Sequence, residues 1–167
     1  LDVDLDGRLD IIVLSWSSGA TILYGNGGGI RSTAPLDTSA NGYNDLKVGD
    51  VTGDGVSDLV IVSTQSQGLY IRPHNGRNGF GAEIAYPRAG SDLSPWAVAI
   101  VDLDRDGKNE VIVTISANRP YSKLWVYKQD VTGRLGAPYS IDTYDMPDVS
   151  RAHDLDNNGF LDLIVGH

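Results

Sequence analysis

The apolar positions of this chain come in short, β-branched blocks. Ile11-Ile12-Val13-Leu14, Leu59-Val60-Ile61-Val62, Val111-Ile112-Val113 and Leu163-Ile164-Val165 are each too short for a helix that buries a stripe. Their Val and Ile content suits a pleated, packed surface. The pattern predicts four strands per unit. In the second and third units strand A covers residues 45–48 and 97–101, strand B 59–63 and 111–115, strand C 69–72 and 124–127, and strand D 83–86 and 139–142. Glycine-rich turns at 75–81 and 132–138 separate C from D, and 25–30 does so in the first unit. No apolar set recurs at helical spacing, and 20 Gly with 7 Pro would break one. The fold class is all-β.

Immediately before each block stands an acidic segment of nine residues. The four copies are Asp2-Val3-Asp4-Leu5-Asp6-Gly7-Arg8-Leu9-Asp10, Asp50-Val51-Thr52-Gly53-Asp54-Gly55-Val56-Ser57-Asp58, Asp102-Leu103-Asp104-Arg105-Asp106-Gly107-Lys108-Asn109-Glu110 and Asp154-Leu155-Asp156-Asn157-Asn158-Gly159-Phe160-Leu161-Asp162. Oxygen side chains stand at positions 1, 3, 5 and 9, and glycine at position 6. Ca²⁺ takes about six to eight oxygens at roughly 2.3–2.6 Å, and a tight loop can aim alternate side chains at one point. The spacing assigns Asp2, Asp4, Asp6 and Asp10 to one ion, with the Arg8 carbonyl. Asp50, Thr52, Asp54 and Asp58, with the Val56 carbonyl, form the second set. Asp102, Asp104, Asp106 and Glu110, with the Lys108 carbonyl, form the third. Asp154, Asp156, Asn158 and Asp162, with the Phe160 carbonyl, form the fourth. An EF-hand is excluded, because its twelfth position needs a bidentate Glu and these copies carry Val13, Ile61, Val113 and Val165. Asp-Gly pairs also make ordinary turns. Four copies that each crowd like charges into nine residues demand a cation more than a turn does.

The first aspartates recur at intervals of 48, 52 and 52 residues. A period near fifty with several short strands is the mark of a propeller blade. The chain divides into a partial blade over 1–42, blades over 43–90 and 91–147, and a partial blade over 148–167. Completion of the ring, in cis or by assembly, is the expectation, because propellers have about four to eight blades. The net charge of −9 argues against nucleic acid as a partner, and up to four divalent ions would nearly cancel it. The chain has no cysteine, so neither disulfide nor thiolate chemistry is available. Weak calcium modules work outside the cytosol, at about 10⁻⁴ to 10⁻³ M. The expectation is a secreted or cell-surface protein without membrane insertion; the longest apolar runs are strand-sized and no stretch reads as a leader.

The acidic loop between strands A and B, with Phe80-Gly81-Ala82 in one copy and Gly136-Ala137-Pro138 in the next, resembles the FG-GAP repeat of integrin α-subunit propellers and the related VCBS repeat. Residues 79–87 followed by 96–102 are similar to the VCBS form. Thr52 and Asn158 depart from the acidic pattern, and the first copy has no Phe-Gly. The resemblance implies a propeller with one calcium per blade. It implies no single activity, since such repeats serve adhesion receptors, lectins and some polysaccharide-lyase scaffolds.

In an up-and-down blade the acidic loops share one face, and the B-to-C and D-to-A links share the other. Trp16, Tyr43, Trp96, Arg119 and Tyr121 fall on that second face and are the candidate ligand-binding residues, because an aromatic platform beside hydrogen-bonding groups suits a glycan or a protein. Trp96 also fits an inter-blade core, and Trp125 belongs inside strand C. No catalytic residue is assigned: His74, His153 and His167 are scattered, and no nucleophile or zinc spacing is present. The leading expectation is a non-catalytic, calcium-stabilised recognition module. The alternatives are a scaffold of a polysaccharide lyase or hydrolase, and a purely structural repeat of a large surface protein.

Overall fold

The computed structural model describes residues 1–16, 19–36, 42–87, 94–148 and 150–167. The strands are β1 (Ile11–Ser15), β2 (Gly19–Gly25), β3 (Ile30–Leu36), β4 (Tyr43–Gly49), β5 (Asp58–Ser63), β6 (Gly68–Arg72), β7 (Ile84–Pro87), β8 (Ser94–Val101), β9 (Glu110–Ser116), β10 (Lys123–Tyr127), β11 (Tyr139–Asp142), β12 (Ser150–His153) and β13 (Asp162–Val165). One 3₁₀ turn, Gly76–Asn78, lies between β6 and β7. Among the described residues no helix is long and apolar enough to cross a membrane.

Neighbouring strands pair antiparallel in chain order. The sheets are β1-β2-β3, β4-β5-β6-β7, β8-β9-β10-β11 and β12-β13. Consecutive residues of a strand point to opposite faces, and in the two central sheets each face meets a different neighbouring sheet. In β5, Leu59 and Ile61 join Val3, Ala20, Ile22 and Tyr70 in the core between the first two sheets. Val60 and Val62 join Leu69, Ile71, Val111, Val113, Ile115, Trp125 and Tyr127 between the second and third. Ile112, Leu124 and Val126 face the fourth, with Ala99 and Val101. All six residues of β5 are buried. This explains why the B blocks are continuously apolar instead of alternating: both faces are covered. The result is a row of all-β sheets stacked face to face as propeller blades.

Successive inner strands are tied by Asp45, whose Oδ2 accepts the Val98 amide at 3.0 Å. The same carboxylate holds the Lys47 ammonium, at 2.6 Å from Oδ1.

Candidate metal centres and the opposite face

The four acidic segments fold alike, and three backbone-to-side-chain bonds show why. The position-1 carboxylate accepts the amide of the position-6 glycine: Gly7 to Asp2 at 2.8 Å, Gly55 to Asp50 at 2.8 Å, Gly107 to Asp102 at 3.0 Å and Gly159 to Asp154 at 2.8 Å. The position-5 side chain accepts the amide of position 7, from Arg8, Val56, Lys108 and Phe160, at 2.7–2.9 Å. The position-9 acid accepts the amide of position 2, from Val3, Val51, Leu103 and Leu155, at 2.7–2.9 Å. The loop must therefore double back on itself. The position-6 glycines sit at φ between 84° and 86°, where a Cβ is unfavourable. Position 4 is left-handed too: Gly53 meets this at φ 76°, whereas Leu5, Arg105 and Asn157 hold it as side-chain residues at φ 56–63°.

Three of the loops bring carboxylate oxygens together. One oxygen each from Asp2, Asp4 and Asp6 lie within 4.8 Å of one another, as do those of Asp102, Asp104 and Glu110, and of Asp154, Asp156 and Asp162. The second loop, with Thr52 at position 3, forms no such three-acid set. Two buried carboxylate oxygens, Asp4 Oδ1 and Asp102 Oδ1, have no hydrogen-bond partner. A buried, unpaired carboxylate oxygen is costly without a compensating charge, so the donor set fits a hard cation.

Basic side chains lean on the same carboxylates. Arg31 of β3 pairs with Asp4 and, at 3.2 Å, with Asp6, while Lys128 pairs with Asp104. The Lys128 hydrogen bond holds the Asp104 carboxyl below its ordinary value. Burial, opposed by the Leu103 amide, pushes Glu110 up. Burial likewise raises Asp58, against the amides of His74 and Val51. The ninth-position acids thus have a second duty that spacing did not disclose. Asp10 and Asp58 each use both oxygens on backbone donors, Asp10 on Val3 and Gly25, Asp58 on Val51 and His74. They clamp their loop to strand C of the same sheet.

The opposite ends of the sheets carry the other candidates. Trp16, Trp96 and Tyr121 are exposed. Trp96 donates its indole N–H to Asp148 Oδ1 at 2.9 Å, so it lies on the surface and not in an inter-blade core. Arg119 pairs with Asp145 at 3.1 Å and lies over the Tyr144 ring at 5.2 Å. Tyr144 and Asp145 therefore share this surface with Arg119, and neither was among the ligand-binding candidates read from the sequence. Tyr43 is corrected: expected on the exposed face, it is 3% exposed, because the first residue of β4 turns into the core with Leu59 and Ile61. Trp125 is buried in the core of the second and third sheets. Residues 17, 18, 41 and 91–93, expected in the links of this face, lie outside the described residues.

The chain is similar to integrin alpha-IIb of Homo sapiens, at 28% identity over 153 residues that cover 81% of this chain and 14% of that relative. The FG-GAP-like repeat family matches residues 2–61, 50–113 and 102–165. Each match begins at the first aspartate of an acidic loop and ends in the strand beyond the next loop, so the matched unit is the loop-to-loop repeat seen in the structure. With those overlapping matches running from residue 2 to residue 165, this chain belongs to the FG-GAP-like repeat family.

Proposed function

We propose that the chain is a non-catalytic recognition module of a secreted or cell-surface protein, stabilised by calcium and binding a glycan or a protein through the face opposite the acidic loops. The observation that carries the metal half is the recurrence of one hydrogen-bonded loop with converging carboxylates and orphaned oxygens at Asp4 and Asp102. Asp2, Asp4, Asp6 and Asp10 would hold one ion, Asp102, Asp104, Asp106 and Glu110 another, and Asp154, Asp156, Asn158 and Asp162 a third. Asp50, Thr52, Asp54 and Asp58 offer a fourth; it and the Asn158 site each carry one carboxylate fewer than the other two. A bound ion would offset the mutual repulsion of the carboxylates and contribute its binding free energy to folding. The chain's own residues supply the rest, since the clamps of Asp10 and Asp58 fix the loop on its sheet.

The recognition half rests on exposed Trp16, Trp96 and Tyr121 and on Arg119, which lie at strand ends and links away from the acidic loops, with Tyr144 beside Arg119. The integrin likeness supports a surface setting and an adhesion-type role. The proposed blades are 1–42, 43–90, 91–147 and 148–167, with the remainder of the ring in cis or by assembly. The test is a screen of glycans and surface proteins in calcium, repeated with Arg119→Ala and Tyr121→Ala. A ligand lost on both variants supports the reading. A ligand that ignores both and is lost on changes around the acidic loops contradicts it.

A further inference from the structure

The third position of the acidic loop differs among the first three sheets. Asp4 and Asp104 fill it in the first and third loops, and Thr52 in the second. Each of the two carboxylates is paired with a base from its own sheet, Asp4 with Arg31 and Asp104 with Lys128. The bases arrive by different routes. The residue after each ninth-position acid pairs with strand C at Leu23, Arg72 and Tyr127, so the places one further along are Tyr24, Pro73 and Lys128. In the first sheet, where Tyr24 stands in the place of Lys128, the base comes from β3 instead, with the Arg31 guanidinium over the Tyr24 ring at 5.3 Å. Two different strands thus deliver one contact where position 3 is acidic. Where it is Thr52, the place of Lys128 is taken by uncharged Pro73.

The bases leave part of each carboxylate to the loop. Asp4 gives Oδ2 to Arg31, while its Oδ1 is buried and has no hydrogen-bond partner. Asp104 gives Oδ2 to Lys128, and its Oδ1 accepts the Asp106 amide at 3.2 Å. The Arg31 and Lys128 side chains are 37% and 48% exposed, so neither is there to fill a core. The other cations of these loops are placed differently. Arg8 lies 3.5 Å from Asp6, Lys108 donates to the Asp130 carbonyl at 3.0 Å, and Arg105 lies over the Phe160 ring at 4.8 Å.

We propose that Arg31 and Lys128 are resident counter-ions that set the calcium affinity of the first and third loops, supporting each loop in the metal-free chain and weakening its hold on the ion. The inference rests on the calcium reading of the loops. In the metal-free chain four carboxylates repel one another, and a base on position 3 offsets part of that repulsion. In the loaded chain the same base is a like charge beside the site, and at a solvent-exposed site a unit charge within a few ångströms costs a divalent ion about tenfold in affinity. Salt screens the exposed base, so the effect shrinks as ionic strength rises.

A calcium titration followed by nitrogen–proton correlation spectra tests this, because the position-6 amides of Gly7, Gly55, Gly107 and Gly159 follow the four loops separately. In Lys128→Gln the Gly107 midpoint is expected to fall about tenfold at low salt while that of Gly55 stays, and in Arg31→Gln the Gly7 midpoint is expected to fall likewise. Both variants are expected to melt below wild type without metal. A base with a merely structural role would lower the melt and leave the midpoint alone. Lys128→Arg keeps the charge, and Lys123→Gln removes a charge paired with Asp142 of the same sheet; both are expected to leave the Gly107 midpoint where it is. Should Lys128→Gln not melt cooperatively, Lys128→Met takes its place. Midpoints that stay or rise in Lys128→Gln and Arg31→Gln overturn the proposal, as does an equal fall in Lys123→Gln. A wild-type chain in which none of the four glycines responds to calcium removes the calcium reading itself, and the proposal with it.

Discussion

The Val51 amide donates to Asp58 Oδ2 at 2.9 Å, and the other oxygen of that carboxylate accepts the His74 amide, also at 2.9 Å. One fully buried side chain thus closes the second acidic loop and ties it to the segment just beyond β6. Removing it leaves two buried amides without acceptors, each costing about 1–3 kcal/mol. Asp58→Ala is expected to lower the unfolding free energy by about 3 kcal/mol or more. Asp58→Asn recovers only part, because a carboxamide offers one acceptor oxygen to two donors. Urea midpoints of the two variants in metal-free buffer check both statements; equal midpoints for wild type and Asp58→Ala would remove the clamp from the account.

The junction between the second and third sheets makes a steric prediction. Gly133 sits at φ 77°, and a Cβ there would lie 1.8 Å from the Thr52 carbonyl oxygen, whereas one on Gly136 would meet nothing nearer than 3.7 Å. Gly133→Ala is expected to cost about 2 kcal/mol or more, from the left-handed backbone and the displaced loop. Gly136→Ala should cost clearly less. Thermal melts of the pair decide it.

The pH profile depends on the metal. Burial raises Asp58 and Glu110, so the folded chain keeps those protons after the unfolded chain has lost them. Their contribution is full below the ordinary carboxylate range and declines as pH rises through it and beyond. Asp104, Asp130 and Asp145 are lowered, chiefly by Lys128, Thr132 and the Arg119 amide, and their contribution declines as pH falls below that range. Melting of the metal-stripped chain is therefore expected to peak near pH 4 and fall toward pH 6. Calcium needs ionised carboxylates, so the loaded chain should instead gain stability over that interval. Parallel profiles with and without calcium would contradict this.

On the opposite face, Arg119→Ala and Tyr121→Ala change exposed side chains, and exposed ion pairs contribute little. Stability is expected to stay within about 0.5 kcal/mol of wild type. Affinity for the ligand found in the screen is expected to fall about tenfold or more, a change of roughly 1.4 kcal/mol, measurable by calorimetry.

Much of this molecule can be read directly from its sequence because its signals repeat. Four acidic loops at near-equal spacing, each leading into a β-branched block, locate every A-to-B corner, and strand D of the third sheet falls at Tyr139–Asp142 as the pattern predicts. What the pattern could not show is where a residue at a strand boundary turns. Tyr43 has the composition of a platform and the environment of a core side chain. The clamps of Asp10 and Asp58 were hidden because their partners Gly25 and His74 lie 15 and 16 residues away and carry no signature in type. Arg31 and Lys128 were hidden for a similar reason. Arg31 reaches its acidic loop from strand D of the first sheet and Lys128 from just beyond strand C of the third, across 27 and 24 residues.

The central claim is that the recurring acidic loops hold calcium and that the fold leans on it. Calorimetric unfolding of the metal-stripped chain, repeated with increasing calcium and with Asp106→Ala, addresses it most directly. An ion present at a hundred times its dissociation constant contributes about 2.7 kcal/mol per site, so the transition is expected to climb by several degrees or more and by less in the variant. A transition temperature that does not move with calcium would mean that the loops are metal-free turns.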